Sequence, residues 1–146
     1  MKNIIQRVNS ASVKVEGKIV GSIEKGILLL SGFGVEDTAI NIQSVADKIV
    51  NMRIFTNEKG RFDHSLLELK ESILVVPQFT LYADTSKGRR PEFFQAMPPK
   101  EAEVMFLNYL NCFKGYGLKA VESGIFGADM KVSLENDGPV TIILES

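Results

Sequence analysis

The sequence predicts an α+β protein: mainly antiparallel, barrel-like sheet covered by two amphipathic helices. Three observations carry that expectation. Apolar residues alternate with polar ones through Val13 and Val15, and again through Val140, Ile142 and Leu144, which is the period of a strand with one buried face. Two other stretches, 39–50 and 102–113, place their apolar residues at helical spacing instead. Between them, Ile27-Leu28-Leu29-Leu30 and Ile73-Leu74-Val75-Val76 are unbroken aliphatic runs, which suit strands buried on both faces.

In chain order, Ser12–Glu16 reads as a strand, Glu16-Gly17-Lys18 as a turn and Ile19–Ile23 as the returning arm of a hairpin. Glu24-Lys25-Gly26 breaks the chain again before the first aliphatic run. Asp37-Thr38 supplies a helix N-cap, and Ala39, Ile42, Val45, Ala46, Ile49 and Val50 then form one continuous stripe. Ser72–Leu81 begins as a buried strand and is interrupted by Pro77, whose missing N–H marks an edge or a bulge. Pro98-Pro99 opens the second helix, with Glu101 and Glu103 at the positive end of its dipole. Its stripe is Ala102, Met105, Phe106, Tyr109, Leu110 and Phe113, and Lys114-Gly115-Tyr116-Gly117 stops it. At the carboxyl end, Val132 and Leu134, a turn at Asn136-Asp137-Gly138-Pro139, and Val140–Leu144 predict a hairpin-like pair.

Length and composition bound the function. A chain of 146 residues without repeats or linkers fits one domain over 1–146, large enough to bury about two-thirds of its unfolded surface. With 45% hydrophobic residues and 9 Phe, a disordered polymer is excluded. Cys112 is the single cysteine, so no intrachain disulfide can form, which suits a reducing, cytoplasmic setting. The longest nearly uncharged stretch, Gly26–Val35, falls short of the about 20 residues of a spanning helix, and Met1–Arg7 lacks a secretory h-region, so no membrane is expected as partner. A net charge of −1 argues against holding nucleic acid by bulk electrostatics. A local cationic patch does exist at Lys87, Arg89 and Arg90, to be read either as an RNA contact or as a solvated loop.

Much familiar chemistry is missing. One histidine, His64, cannot give a pair of imidazole ligands, so no metal is expected. Gly32-Phe33-Gly34 is a fragment and not a phosphate-binding loop, and no cofactor is expected. Asp63, His64 and Ser65, in a stretch that reads as a polar connection, can be written as a triad, but no nucleophile-elbow motif supports it. Cys112 sits within the helical stripe and reads as a core residue. What remains is Gln78 and Thr80 closing an apolar strand at Pro77, Gly138-Pro139 in the terminal pair, and Gly124 and Gly127 around Phe126. Each alone is explained by turn glycines or a strand bulge.

Together these segments resemble the bacterial and eukaryotic D-aminoacyl-tRNA deacylases over nearly the whole chain. Arg7-Val8 with Ala11–Val15, Gly26–Leu30 with Gly32, and Arg53-Ile54-Phe55 look like the family's early strands. The most specific strings are Gln78-Phe79-Thr80-Leu81-Tyr82-Ala83-Asp84-Thr85, Lys87-Gly88-Arg89-Arg90-Pro91, Gly124-Ile125-Phe126-Gly127-Ala128-Asp129-Met130 and Asn136-Asp137-Gly138-Pro139-Val140-Thr141.

The resemblance implies a homodimer with active sites at the subunit interface and a tRNA acceptor end as substrate. The ester joining a D-amino acid to the terminal adenosine would be cleaved, and so would that of glycine mischarged on tRNA-Ala. Gly138-Pro139 matches a cis pair that reaches into the partner's site, and Arg7 matches the residue that holds it. The carbonyls of Gly138 and Pro139 would occupy the place an L side chain needs, so rejection works by exclusion. The resemblance further implies chemistry assisted by the tRNA 2′-hydroxyl, with Gln78 positioning the substrate and the amides of Phe79 and Thr80 facing the oxyanion. The Thr80 hydroxyl has no evident base and is assigned to positioning, while Pro77, Phe126 and Met130 are expected to contact substrate and Lys87, Arg89 and Arg90 the RNA phosphates.

Two positions depart from the family pattern. Pro77 stands where Ser usually precedes Gln, and Phe62-Asp63 replaces the common Met-Asn, which leaves the amino-acid range open. Two other readings stay open at this point: a non-catalytic RNA-binding or dimerisation module that uses the Lys87–Arg90 patch, and a small-molecule esterase that uses Ser65 or Thr80.

Overall fold

The alternation noted around Val13 extends back to the amino end, and Lys2–Val15 form one long strand, β1, in the computed structural model, which describes residues 1–146. The expected hairpin follows: β1 turns at Glu16-Gly17 into the antiparallel β2 (Lys18–Ile23). Next, β3 (Gly26–Gly32) runs antiparallel to the first half of β1. Helix α1 (Ala39–Asn51), with Thr38 at the N-cap position but its hydroxyl turned to the Asn41 side chain and not to a backbone N–H, leads to a separate small hairpin of β4 (Arg53–Thr56) and β5 (Phe62–Ser65). A four-residue helix α2 (Leu66–Leu69) precedes β6 (Ser72–Pro77), which lies parallel to β3. A 3-10 turn, Phe79–Tyr82, and a long connection reach α3 (Pro99–Lys114). The chain closes with β7 (Val121–Ser123), parallel to β6, and β8 (Lys131–Glu145), antiparallel to β1.

The principal sheet has the order β2-β1-β3-β6-β7 with β8 along the other edge of β1, so most pairings are antiparallel, as expected, and the two made by β6 are parallel. It curls until β2 meets β7, which gives the barrel-like form. The two aliphatic runs are buried on both faces for a visible reason. Ile27, Leu29, Ile73 and Val75 point into the main core with Ile49 and Val50 of α1 and Phe106, Tyr109 and Phe113 of α3. The alternate residues Leu28, Leu74 and Val76 join Val8, Val13 and Ile23 in a second cluster inside the curl. Both helices therefore pack on one face of the sheet, and their buried residues belong to the predicted stripes, with Met105 and Cys112 at the margin; Ala39, expected in the α1 stripe, is exposed in the first turn, ahead of the part of the helix that meets the core. Within this core the Tyr109 phenol is pushed up by burial, and it shares the Asn3 Oδ1 acceptor with Ser31 at 3.4 and 2.8 Å.

Three sequence expectations need correction. The carboxyl end is one strand and not a hairpin: β8 follows β1 from Lys2↔Glu145 to Lys14↔Lys131. Its register jumps, since Gln6 pairs with Thr141 but Val8 pairs with Asn136, leaving Asp137–Val140 as a bulge opposite Arg7. The turn residues thus bend a strand outward without reversing it, because the continuous β1 supplies partners on either side. Second, Pro77 lies neither on an edge strand nor in a bulge but at the end of β6, an interior strand: it pairs with Ser31 of β3 on one side and lies beyond the last β7 residue, Ser123, which pairs with Val75, on the other. Third, His64 lies within strand β5 and not in a connection. No helix is long and apolar enough to cross a membrane.

Candidate active site

The site grows from the end of β6. At Pro77 the strand needs no further ladder bond toward β7, so the missing N–H leaves no acceptor unpaired there. The Gln78 amide makes the last link to the sheet, donating to the Ser31 carbonyl at 2.8 Å, and the chain then tightens into the 3-10 turn. Leu81 N–H closes on Gln78 O at 3.3 Å, and Ala83 N–H on Thr80 O at 3.0 Å. The amides of Phe79 and Thr80 open this turn and have no acceptor within it. The Gln78 side chain donates through Nε2 to the Thr80 hydroxyl, which fixes both groups relative to each other.

Beside the turn lies a cleft of about 580 Å³. Pro77, Gln78 and Phe79 form one wall, Phe93 and Met97 a second, and Phe126 and Met130 a third. Aromatic contacts stiffen it: Phe79 meets Phe93 edge-on at 5.1 Å between centroids, and Phe126 meets Phe106 of α3 at 6.2 Å. The lining is chiefly apolar, with the Gln78 amide as a directional polar group, the composition of a small-ligand site. Asp129 also lines the cleft, but its carboxylate is paired with Lys131 at 3.0 Å.

The residues singled out in the sequence separate into three places. Pro77, Gln78, Phe79, Phe126 and Met130 meet in the cleft, with Thr80 exposed beside it. Lys87, Arg89 and Arg90 are exposed on a loop closed by backbone bonds between Asp84 and Glu92 at 2.8 and 3.0 Å. Arg7, Gly138 and Pro139 are brought together elsewhere, at the β8 bulge, and none of them lines the cleft of the same chain. Sequence reasoning missed Phe93, Ala96 and Met97; the signal available for the wall was the Phe93-Phe94 pair, conspicuous within a polar stretch.

The bulge is held firmly. The Arg7 guanidinium, 5% exposed, donates from Nε to the Asp137 carbonyl at 3.1 Å and from Nη1 to the Ile54 carbonyl at 2.6 Å. Nε also lies 3.0 Å from the Asp137 carboxylate, and the Phe62 ring covers the guanidinium at 5.7 Å. The Gly138–Pro139 peptide is cis, and both residues are exposed. Gly138 has φ +126°, and a Cβ there would lie 3.1 Å from Arg7 Nη2 and 3.0 Å from Val140 Cγ2, so both backbone conformation and space require glycine.

No side chain of the usual nucleophile–base kind is poised at the cleft. Ser65 is 2% exposed, and its Oγ caps α2 by accepting from Glu68 N–H at 3.1 Å, while Glu68 Oε2 accepts Ser65 N–H at 2.9 Å. That capping box uses the hydroxyl for structure, and the triad of Asp63, His64 and Ser65 does not form. Burial pushes the Cys112 thiol up, away from thiolate chemistry. Tyr82, the last residue of the turn, is pushed up to about 12, by burial first and then by the Asp37 carboxylate, so it stays a phenol. No three His, Cys, Asp or Glu side chains gather in a metal-binding cluster.

Fold and cleft thus define a class: an α+β protein whose apolar cleft is bordered by main-chain amides and a neutral carboxamide, without a nucleophile–base pair. Residues 4–145 match the model of the family described as D-Tyr-tRNA(Tyr) deacylase. A D-aminoacyl-tRNA deacylase of Thermosipho africanus is 50% identical over 146 residues, covering 100% of this chain and 97% of its own. One from Clostridium botulinum strain Alaska E43 is 51% identical with the same coverage. The chain belongs to the D-aminoacyl-tRNA deacylase family. Among solved structures, a c-Myc DNA unwinding element binding protein superposes with a TM-score of 0.93 at 41% identity, covering 100% of this chain and 99% of its own. A probable eukaryotic D-amino acid tRNA deacylase gives a TM-score of 0.87 at 18% identity over 98% and 97% of the two chains, a likeness of fold.

Proposed function

We propose that this protein, an ester hydrolase of the D-aminoacyl-tRNA deacylase family, removes D-amino acids from the 3′ end of tRNA as a homodimer, each cleft being completed by the partner's Gly138-Pro139 bulge. The observation that carries the reading is the bulge itself. An exposed Gly-Pro pair beside a buried arginine that clamps Asp137 is left uncovered by its own chain, and the reading sets its main-chain carbonyls over the partner's cleft. Carbonyls placed over the cleft would accept from the α-ammonium of the substrate and leave room at Cα for hydrogen but not for an L side chain. Glycine has no side chain to exclude, so mischarged glycyl-tRNA falls within the same rule. Dimerisation is supported by β8, whose outer edge is unpaired and which leaves Ile143 70% and Leu134 40% exposed.

For the chemical step, the substrate ester would enter the cleft with its carbonyl toward the Phe79 and Thr80 amides, where one such donor is worth roughly 3 kcal/mol to an oxyanion. Gln78 orients the ester, Thr80 holds Gln78, and Pro77, Phe126 and Met130 shape the floor for the terminal nucleoside. The vicinal 2′-hydroxyl of the substrate takes the part that no side chain here can take. A paired assay tests this: D-tyrosyl-tRNA should be hydrolysed and L-tyrosyl-tRNA spared, and a D-substrate with a 2′-deoxy terminus should be inert. Release of both enantiomers would reject the exclusion rule, and turnover of the deoxy substrate would reject substrate assistance.

The reading also assigns phosphate contacts to Lys87, Arg89 and Arg90. Replacing all three with alanine should flatten the dependence of log KM on log salt by about 2.1–2.7, since each phosphate contact contributes a slope of about 0.7–0.9. An unchanged slope would move the RNA face elsewhere.

A further inference from the structure

Residues Phe93–Ala96 form a wall with a cavity on each side. Phe93 and Ala96 line the cleft, while Phe94 and Gln95 line a second recess of about 440 Å³ together with Lys2, Tyr82 and Asp84. The 3-10 turn divides in the same way, with Phe79 in the cleft and Tyr82 in the recess. This partition is fixed by backbone bonds to the chain just beyond β3: Val35 N–H donates to Gln95 O at 3.1 Å, and Met97 N–H donates to Phe33 O at 2.9 Å.

The chemistry of the recess is specific. Phe94 is 84% exposed, a whole aromatic face left in water. Across the recess the Lys2 ammonium stands 5.1 Å over the Tyr82 ring, and Gln95 and Asp84 bring an amide and a carboxylate. An aromatic face beside hydrogen-bonding groups of both signs matches a nucleobase better than an aliphatic ligand, because a base has a π-face to stack and an edge to pair. The loop that carries Lys87, Arg89 and Arg90 is closed by the Asp84–Glu92 pair, so cations that suit a phosphodiester backbone begin at the rim of the same recess.

We infer that this recess is a subsite for a second unpaired nucleotide, the one preceding the nucleotide that bears the ester, and that its base stacks on Phe94. The inference rests on the tRNA-ester reading of the cleft. With the terminal nucleoside in the cleft, the strand leading away crosses a wall formed by consecutive residues, Phe93 facing one side and Phe94 the other.

The test compares two substrates on the full chain: a D-tyrosyl ester of adenosine, and the same ester on a cytidine-cytidine-adenosine trinucleotide. Phe94→Ala should lower kcat/KM for the trinucleotide about tenfold through KM, the scale of one lost base–aromatic stack. It should leave the nucleoside ester unchanged, and Phe94→Trp should restore the trinucleotide rate. Equal losses on both substrates, or no loss on either, would overturn the subsite. So would a change in oligomeric mass of Phe94→Ala, which would make the ring a protein contact. If the unaltered protein hydrolyses neither ester, the reading of the cleft fails, and the recess is then judged by fluorescence anisotropy with the uncharged trinucleotide. Weaker binding by Phe94→Ala sustains the subsite there, and equal binding overturns it.

Discussion

Replacing Arg7 with lysine will lower the ratio of D- to L-aminoacyl-tRNA hydrolysis at least about tenfold, which corresponds to about 1.4 kcal/mol of lost positioning. The guanidinium serves the Asp137 carbonyl, the Asp137 carboxylate and the Ile54 carbonyl at once, at 3.1, 3.0 and 2.6 Å. An ammonium keeps the charge but not the planar fork, so it can hold the bulge or the β4 strand but not both in the present geometry. The loss expected is therefore in discrimination first and in stability second. Arg7→Ala goes further, stripping the donor from two carbonyls and leaving a carboxylate that is 35% exposed. Because water screens that carboxylate in part, a stability loss of about 2 kcal/mol is expected, below the range for a fully buried pair. The decisive measurement is kcat/KM on D- and L-tyrosyl-tRNA alongside a thermal melt. A lysine variant that melts lower yet keeps its full D/L ratio would show that the bulge is not the chirality sensor.

The parts of the fold that were legible in the sequence are those fixed by a single periodic pattern. Ile42, Val45, Ala46, Ile49 and Val50 on α1, and Ala102, Phe106, Tyr109, Leu110 and Phe113 on α3, are buried because 3.6-residue spacing puts them on one stripe whatever they face. The fate of Asn136–Pro139 was not legible. Gly-Pro after Asn-Asp signals a change of chain direction, but whether the chain reverses or bulges depends on a partner more than a hundred residues away, and β1 continues past the irregularity. The same limit applies to the site. Gln78 and Phe79 could be placed by the abrupt end of an apolar run, whereas Phe93 and Met97 reach the cleft through backbone bonds to Phe33 and Val35 that no local pattern encodes. Ser65 and His64 show why residue type alone was not enough to name a triad, since these adjacent residues serve a helix cap and a strand.

Gly32-Phe33-Gly34 illustrates how a motif fragment gains meaning from what rests on it, and it leads to the second large effect. A Cβ at Gly32 would lie 2.8 Å from the Gln78 carbonyl oxygen and 3.3 Å from Leu81 Cβ, so the 3-10 turn sits directly on a bare backbone. Gly32→Ala must lift that turn by several tenths of an ångström, because the first obstacle is main chain and cannot rotate away. The cost in stability should be about 1–3 kcal/mol, as for other overpacked sites. The cost in catalysis should be larger, about 100-fold in kcat with KM little changed, since a small displacement of positioned groups is felt mainly in the transition state. Ile49→Val provides the control: it removes one methylene from the core of α1, at a cost of about 0.5–1.5 kcal/mol, and touches nothing at the turn. Single-turnover rates on D-tyrosyl-tRNA should fall for Gly32→Ala and hold for Ile49→Val. If the glycine variant loses stability but keeps its single-turnover rate, the amides of Phe79 and Thr80 are not the groups that meet the oxyanion, and catalysis must be sought on another wall of the cleft.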